Sequence, residues 1–333
     1  MVRPNKRSGR TNMRVTMLAV AAGLTAYAAT PSAIVPSAAA TEFVRIATAG
    51  SGGNFYRLGG GVAAILNDEH RDMRASIQAT GGTVENLDLL ADREVEIAYV
   101  TGSVALQAFE NTGVFADRPQ GRYDGLRAIA TVYPNPQWFV VMDPSIQSVR
   151  DLQGKRVAVG MQGSNGEAWW RQIMEFLGWT YADIRPEFTM HQAAIDQVRN
   201  RQIDALVSPD APGSATIQEM VNTGFGIVRN LDEDIIEFMA SQGLDYAYTL
   251  PAGTVPGTDE AIHTFASPVT LSTHAGMSED LVYRITKSLF EHQDRLIQVH
   301  PLANFMTLEN AMDGLPYPLH PGAERFYREQ GLL

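Results

Sequence analysis

Short apolar runs rich in β-branched residues alternate with longer amphipathic segments along most of the chain, beginning near residue 43. This alternation is typical of an α/β fold with largely parallel strands. A first series predicts strands at 43–48, 74–79 and 97–100, with helices at 56–67 and 84–92 between them. A second series predicts strands at 156–159, 184–189 and 205–207, with helices at 167–177 and 193–200. The similar spacing predicts two lobes of similar topology.

Two further apolar stretches, 137–142 and 265–272, lie on either side of the second series. If both are extended crossings, the second lobe is an insertion in the first, and the double crossing is a natural hinge for closure on a ligand. We therefore expect lobe 1 to comprise 41–138 plus 267–333, and lobe 2 to comprise 139–266. Pro134-Asn-Pro136 is expected to break regular structure before the first crossing. One continuous sheet with a long helical tail is the alternative.

Glycine-rich turns connect a predicted strand to a predicted helix at three places. Their sequences are Thr48-Ala-Gly-Ser-Gly-Gly-Asn-Phe-Tyr56, Ile77-Gln-Ala-Thr-Gly-Gly-Thr-Val-Glu-Asn86 and Arg156-Val-Ala-Val-Gly-Met-Gln-Gly-Ser-Asn-Gly-Glu167. Such turns direct unpaired backbone N–H groups and the positive end of a helix dipole at one point, where an anion can bind. Their presence in both series favours a small polar or anionic ligand held between two lobes.

Residues 1–40 have the order of a secretory signal peptide. Five basic residues and no acid precede an Ala-rich apolar stretch at 15–29, and Ala38-Ala-Ala40 predicts cleavage before Thr41. A membrane anchor is the alternative, but the apolar run is short for a bilayer span. No later stretch reaches about 18 uninterrupted apolar residues, so we expect a soluble mature protein without stable membrane insertion.

Charge and composition exclude several classes of function. Removing the leader lowers Lys+Arg from 26 to 21 against 37 Asp+Glu, so the net charge moves from −11 to −16. This acidity excludes a basic footprint for nucleic acid. The chain has no cysteine, which excludes disulfides, thiol catalysis and Cys-type metal sites. The seven histidines are scattered, and no hydrolase or metalloprotease motif is present, so we expect no catalytic residues, no metal and no cofactor.

Candidate ligand-binding residues in the first series follow its glycine turns. Phe55 and Tyr56 are both candidates for ligand contact: one is expected to pack into the core, while the other can form the wall of a pocket and offer a hydroxyl, and for this role we favour Tyr56. Thr83 and Asn86 share a helix face; Thr83 can instead be an N-cap, and Asn86 can contact a carboxylate or an amide. Arg57 is either a solvated arginine or a carboxylate clamp.

In the second series, Ser164 and Asn165 stand at the mouth of the turn, where they either start the helix or contact a ligand. Ser164 and Glu167 have the spacing of a capping box, and for Glu167 we favour that structural role. Asp210 follows the strand at 205–207, and an acid at the carboxyl end of such a strand faces the ligand crevice. It either accepts a ligand ammonium or hydroxyl, or orders its proline-rich turn.

From about Phe43 to Tyr327 the chain resembles the TAXI class of TRAP-transporter solute-binding proteins. The resemblance depends on several segments in order: Thr48-Ala-Gly-Ser-Gly-Gly-Asn-Phe-Tyr-Arg-Leu-Gly59, Thr80-Gly-Gly-Thr-Val-Glu-Asn-Leu87, Ser148-Val-Arg-Asp-Leu-Gln-Gly-Lys-Arg-Val-Ala-Val-Gly160, Ile203-Asp-Ala205, Pro251-Ala-Gly-Thr-Val-Pro-Gly257 and Asp313-Gly-Leu-Pro-Tyr-Pro-Leu-His-Pro-Gly-Ala-Glu-Arg-Phe-Tyr327.

The resemblance implies a periplasmic protein of the type II, Venus-flytrap fold that closes on a small organic anion or amino acid. It would deliver this ligand, of the glutamate, glutamine or dicarboxylate kind, to sodium-coupled TRAP membrane subunits. The family's ligand contacts correspond here to Ser51, Tyr56, Thr83 and Asn86. We expect a monomer.

The chain departs from the family pattern mainly in its second lobe. In the first lobe, Thr101 stands where a glutamine is common. In the second lobe, Ser-Pro-Asp210 replaces a more apolar turn. The second-lobe turn is followed by Trp169 and Trp170. These departures favour a ligand other than plain glutamate, with an amino or hydroxyl group near Asp210 and an aromatic or apolar part near Trp169.

Two other functions are compatible with a two-lobed scaffold. An enzyme would need a nucleophile–base pair or a metal site, and the sequence offers neither. A ligand sensor that docks on a receptor's outer domain would have the same sequence features as a transport protein.

Overall fold

The computed structural model of this protein describes residues 41–189 and 191–333. The predicted signal peptide, 1–40, lies outside the described residues. The strands are β1 (Glu42–Ala47), β2 (Met73–Gln78), β3 (Ile97–Thr101), β4 (Leu126–Val141), β5 (Arg156–Ala158), β6 (Arg185–Glu187), β7 (Ala205–Pro209), β8 (Ile227–Arg229), β9 (Tyr246–Leu250) and β10 (Ile262–His274). The α-helices are α1 (Asn54–Glu69), α2 (Thr83–Ala91), α3 (Gly102–Glu110), α4 (Asn165–Leu177), α5 (His191–Arg199), α6 (Ala215–Asn222), α7 (Glu233–Ala240), α8 (Glu279–Glu291), α9 (Gln293–Val299) and α10 (Pro321–Glu329). Every element predicted in the two series is confirmed, with boundaries that differ by at most two residues.

The strands follow the order β2-β1-β3-β10-β4-β7-β5-β6, with β8 on β4 and β9 on β10. Within the first series β1 is parallel to β2 and β3, and within the second β5 is parallel to β6 and β7. The long strands β4 and β10 are antiparallel to each other and to their other neighbours. Each parallel set has helices between its strands, as the alternating pattern predicts.

The two predicted crossings are the strands β4 and β10. From Leu126 to Pro136, β4 pairs with β10; from Gln137 to Val141 it pairs with β7. The predicted α/β fold of two lobes joined by two crossing strands is therefore confirmed. The strands form one hydrogen-bonded order that passes through β4 from one lobe into the other, as the continuous-sheet alternative expects. Each series nevertheless pairs with its own part of the crossing strands.

The expected break at Pro134-Asn-Pro136 is wrong, because both prolines lie inside β4. Pro134 is paired with Pro268 of β10, and neither residue has an N–H to donate. Prolines are tolerated here because β4 changes its pairing partner directly after Pro136.

The C-terminal helices pack against the first series. Helices α8 and α9 contact α1, and α10 lies against α8 with the rings of Phe290 and Phe326 stacked at 5.5 Å. The Ser278 hydroxyl accepts from the N–H of Leu281 and caps α8. Among the described residues, no helix combines the length and the apolar character that crossing a membrane requires.

Candidate ligand-binding site

The glycine turns of the two lobes meet each other. The N–H of Val84, in the first turn of α2, donates to the carbonyl of Gly163 in the turn before α4, at 3.1 Å. Gly82 and Gly163 have φ values of +118° and +78°, a region that residues with a Cβ rarely adopt. The start of α2 and the turn before α4 are therefore neighbours at the cleft between the lobes.

A second contact between the lobes joins Asn54, the first residue of α1, to Asp210, which directly follows β7. Asn54 Nδ2 donates to Asp210 Oδ1 at 2.8 Å. The same carboxylate accepts from the Ser214 hydroxyl and from the N–H of Ala211, and the carbonyl of Asp210 accepts from Trp138 Nε1 at 3.0 Å. Asp210 is thus buried and held firmly in its own turn while it faces the other lobe.

Tyr133 lies beside this contact at the base of the cleft. Burial, reinforced by the nearby Asp210 carboxylate, raises the pKa of the Tyr133 phenol well above its usual value. The phenol is therefore a neutral donor throughout the physiological range. Phe55, one of the candidates for ligand contact, is buried against the same side, stacked on Tyr99 at 5.5 Å and edge-on to Tyr133 at 6.5 Å, so its ring packs in the core.

The polar residues predicted in the first lobe form a closed hydrogen-bond network. Asn86 is fully buried: its Nδ2 donates to the carbonyls of Thr48 (2.6 Å) and Tyr99 (2.7 Å), and its Oδ1 accepts from the Thr80 hydroxyl (2.7 Å). This network joins the ends of β1 and β3 to the turn before α2.

Thr83 and Thr101 belong to the same buried layer. Thr83 Oγ1 accepts from the N–H of Thr101 at 3.1 Å, while Gly82, not Thr83, is the N-cap of α2. Both threonines have no exposed surface. Their hydroxyls therefore join the end of β3 to the start of α2.

The remaining first-lobe candidates are accessible. Ser51 is exposed in the first glycine turn, and Tyr56 is half-buried on the first turn of α1. Arg57 is exposed and lies near His300, whose pKa is lowered first by burial and then by this guanidinium.

In the second lobe, Ser164 is the N-cap of α4 and accepts from the N–H of Glu167 at 3.3 Å. The predicted capping box is incomplete, because the Glu167 carboxylate instead binds Arg171 and the hydroxyl of Tyr181. Asn165 is half-buried, and its Nδ2 is shielded from solvent without a hydrogen-bond partner in the described part of the chain.

Trp169 has no exposed surface. Its Nε1 donates to the Ser103 hydroxyl at the start of α3 at 3.0 Å, and its ring packs edge-on against Phe265 at 4.9 Å. The indole therefore joins the two lobes from inside the core.

Sequence reasoning missed two buried polar side chains near the crossing strands. Gln137 is 1% exposed, and neither its Nε2 nor its Oε1 has a partner within the described ranges. Asp245 is 4% exposed, and burial raises the pKa of its carboxyl to about 8. The hydroxyls of Ser103 and Ser267 lie near it, but neither meets hydrogen-bond geometry. The one available signal was that Gln137 is the only polar residue in the apolar stretch 137–142.

Across residues 41–189 and 191–333, no group of three or more His, Asp or Glu side chains is arranged to hold a metal ion. The site is instead composed of amide, hydroxyl, aromatic and carboxylate groups around the starts of three helices. Such a site can bind a small polar molecule by hydrogen bonds and helix dipoles.

Several solved structures share features of this fold. A Bordetella bronchiseptica RB50 protein is 14% identical, with a TM-score of 0.50 and coverage of 87% of this chain and 82% of that chain. The putative L-cystine ABC transporter from Listeria monocytogenes is 14% identical, with a TM-score of 0.48 and coverage of 80% and 98%. The periplasmic aliphatic sulphonate binding protein SsuA from Escherichia coli is 14% identical, with a TM-score of 0.44 and coverage of 88% and 89%.

The sequence itself matches a family model, that of the NMT1-like family, over residues 46–331. The match spans both series and both crossing strands, and it includes every residue of the candidate site. This chain belongs to the NMT1-like family.

Proposed function

We propose that this protein is an extracytoplasmic solute-binding protein that encloses a small organic anion or amino acid between its lobes. The observation that carries the proposal is the meeting of the helix starts at one cleft. The turns before α2 and α4 are joined by the Val84–Gly163 hydrogen bond, and the start of α1 is joined to the end of β7 by Asn54 and Asp210.

Local groups, not the overall charge, hold the ligand. The acidic chain repels anions at long range, so the positive ends of α1, α2 and α4 supply the favourable potential within the cleft. Ser51, Tyr56 and Ser164 have the accessibility that direct ligand contact requires. Thr83, Asn86 and Thr101, which are buried, hold the turns that present them.

Closure follows from contacts that exist only when the lobes meet. A ligand that touches both turns favours the closed state by its differential affinity for that state. The role is binding without turnover, in which the closed form is the one a membrane partner recognises. Delivery to sodium-coupled TRAP subunits, and membership of the TAXI class, rest on the resemblance of the glycine-turn and C-terminal motifs.

The direct test is identification of the small molecule retained by the purified protein, by mass spectrometry of the denatured sample. Calorimetry against amino acids and dicarboxylates then gives the affinity, and small-angle scattering shows whether the ligand makes the molecule more compact. A protein that retains and binds no small organic acid or amino acid would contradict the proposal. Uptake in proteoliposomes with TRAP subunits, with and without a sodium gradient, tests the transport partner.

A further inference from the structure

Gln137 lies at the point where β4 passes from one lobe to the other. Pro136 is the last β4 residue in register with β10, and Gln137 is the first in register with β7, opposite Pro209. The carbonyl of Pro136 accepts from the N–H of Asp210 at 3.1 Å, which places Gln137 next to the Asn54–Asp210 contact. Gln137 is therefore at the base of the cleft that the proposed function assigns to the ligand.

The side chain of Gln137 lies on the same face of β4 as Phe139, because side chains two residues apart share a face. Phe139 belongs to the apolar cluster that also contains Trp169 of α4, whereas Trp138 belongs to the cluster beneath α5 and α6. The first turn of α4 lies directly on the end of β7: a Cβ on Gly166 would be 3.0 Å from Cδ of Pro209. The amide of Gln137 thus shares this face with the N-terminus of α4.

Three amide atoms of Gln137 and Asn165 lack partners in the part of the chain that the structure describes. Both polar atoms of Gln137 and the Nδ2 of Asn165, the first residue of α4, are shielded from solvent and make no hydrogen bond to any described residue. Leaving such groups unpaired is costly, and buried polar groups in native proteins are nearly always satisfied. A bound ligand is the partner that a binding cleft would supply.

We propose that Gln137 and Asn165 form a subsite for a ligand group that carries a hydrogen-bond donor beside an acceptor. This inference rests on the proposed function. Nε2 of Gln137 and Nδ2 of Asn165 donate to a ligand carboxylate or carbonyl at the positive end of α4, while Oε1 of Gln137 accepts from a ligand N–H. A plain dicarboxylate offers only acceptors at neutral pH and leaves Oε1 unsatisfied. The ligand is therefore an amino acid or an acid amide in preference to a plain dicarboxylate.

Four matched five-carbon acids test the inference by calorimetry. L-Glutamate presents an ammonium and glutaramate an amide N–H, whereas glutarate and 2-oxoglutarate present no donor. We expect the wild type to bind at least one of the two donors about 10- to 100-fold more tightly than glutarate, since an unpaired buried acceptor costs about that factor. The tighter of the two ligands, L-glutamate or glutaramate, identifies the ligand group that donates to Gln137 Oε1 as an ammonium or an amide.

The variant Gln137→Met keeps the length of the side chain and removes both polar atoms. Its affinity for the preferred donor-carrying ligand should fall about 10- to 100-fold. Its affinity for glutarate should fall less, so the preference for the donor-carrying ligand over glutarate is lost. Thermal unfolding checks that the variant folds. Gln107→Met is the matched control, because the Oε1 of Gln107 also lacks a partner among the described residues but lies on α3, outside the site. The selectivity of this variant should equal that of the wild type.

The outcomes distinguish the Gln137–Asn165 subsite from the proposed ligand-binding function. Binding without preference for a donor, or a preference that survives in Gln137→Met, overturns this inference and leaves the proposed function intact. If the wild type binds none of the four acids, this inference is overturned, and the proposed function is then decided separately by whether the purified protein retains and binds another small organic acid or amino acid.

Discussion

The two halves of the cleft satisfy their polar groups in different ways. In the first lobe, Asn86 is fully buried and each of its polar atoms bonds to a neighbouring turn or strand. In the second lobe, Asn165 is the first residue of α4, whereas Asn86 is the fourth residue of α2, and the Nδ2 of Asn165 has no partner among the described residues. Two asparagines that both follow a glycine turn thus have different environments.

The difference shows two roles for a polar residue near a helix N-terminus. It can stabilise the turn by its own hydrogen bonds, or it can keep an unpaired atom that a ligand could bind. The closed network around Asn86 fixes the backbone of the first lobe before any ligand arrives, which lowers the cost of ordering on binding. If the cleft binds a ligand as proposed, we expect the unpaired groups of the second lobe and the crossing strands to change in energy on binding and so to set the selectivity.

The largest effect on stability is expected from removing the buried amide of Asn86 in the first lobe. Asn86→Ala should lower the free energy of unfolding by about 3 kcal/mol, because it removes three hydrogen bonds that the buried amide makes with two carbonyls and one hydroxyl. Thermal unfolding should show a fall in Tm of about 6–12 °C. A loss of ligand affinity with unchanged Tm would instead make Asn86 a direct ligand contact.

Asp245 provides the next test, at a point where the segment before β9 approaches the start of α3. Burial raises the pKa of its carboxyl from the ordinary value of 3.8 to about 8 in the folded protein, so the folded state holds an extra proton between these values. Stability from this group is fully present below pH 4 and is lost as the pH rises toward 8.

Asp245→Asn should remove this decline and raise the free energy of unfolding at pH 8 by about 2 kcal/mol, a gain in Tm of roughly 4–8 °C. At pH 4 the variant and the wild type should unfold at similar temperatures. Parallel stability curves from pH 4 to pH 8 would show that the carboxyl is ionised in the folded protein.

A smaller effect is expected from the contact that joins the lobes. Asn54→Ala removes the amide that donates to the Asp210 carboxylate, and a hydrogen bond to a charged group is worth about 1.5–3 kcal/mol. Because this bond joins the two lobes, we expect about a 10-fold weaker ligand affinity by calorimetry and little change in Tm. Unchanged affinity would show that closure does not depend on this contact.

The smallest effect on stability is expected from Asn165→Ala, the second-lobe counterpart of Asn86→Ala. Asn165→Ala should change the free energy of unfolding by no more than about 0.5 kcal/mol, because no partner of Nδ2 loses a hydrogen bond. It should still weaken ligand binding. If Asn165→Ala destabilised the fold as much as Asn86→Ala, the two halves would not differ as proposed.

The order and type of the elements were predictable because each follows from local pattern. β-Branched runs specify β1 and β5, and glycine turns followed by amphipathic segments specify the starts of α1 and α4. The error at Pro134 and Pro136 arose because local rules count proline as a breaker, whereas a strand that changes partner tolerates it.

The environment of each side chain was not predictable in the same way. Burial and hydrogen-bond partners depend on contacts between distant segments, such as that of Asn54 with Asp210, which are 156 residues apart. Asn86 lies one turn into α2 and Asn165 at the first position of α4, but the sequence does not show which partners each amide meets. Gln137 was passed over because its apolar neighbours identify a strand and do not reveal which face its side chain takes.

The paired prolines at the crossing have a mechanical consequence. Where Pro134 lies opposite Pro268, β4 and β10 have no N–H groups with which to hold each other. The sheet therefore has fewer bonds to strain at the line about which two lobes would rotate. We expect a bend along this line to break fewer ladder hydrogen bonds than a bend where both paired residues carry an N–H.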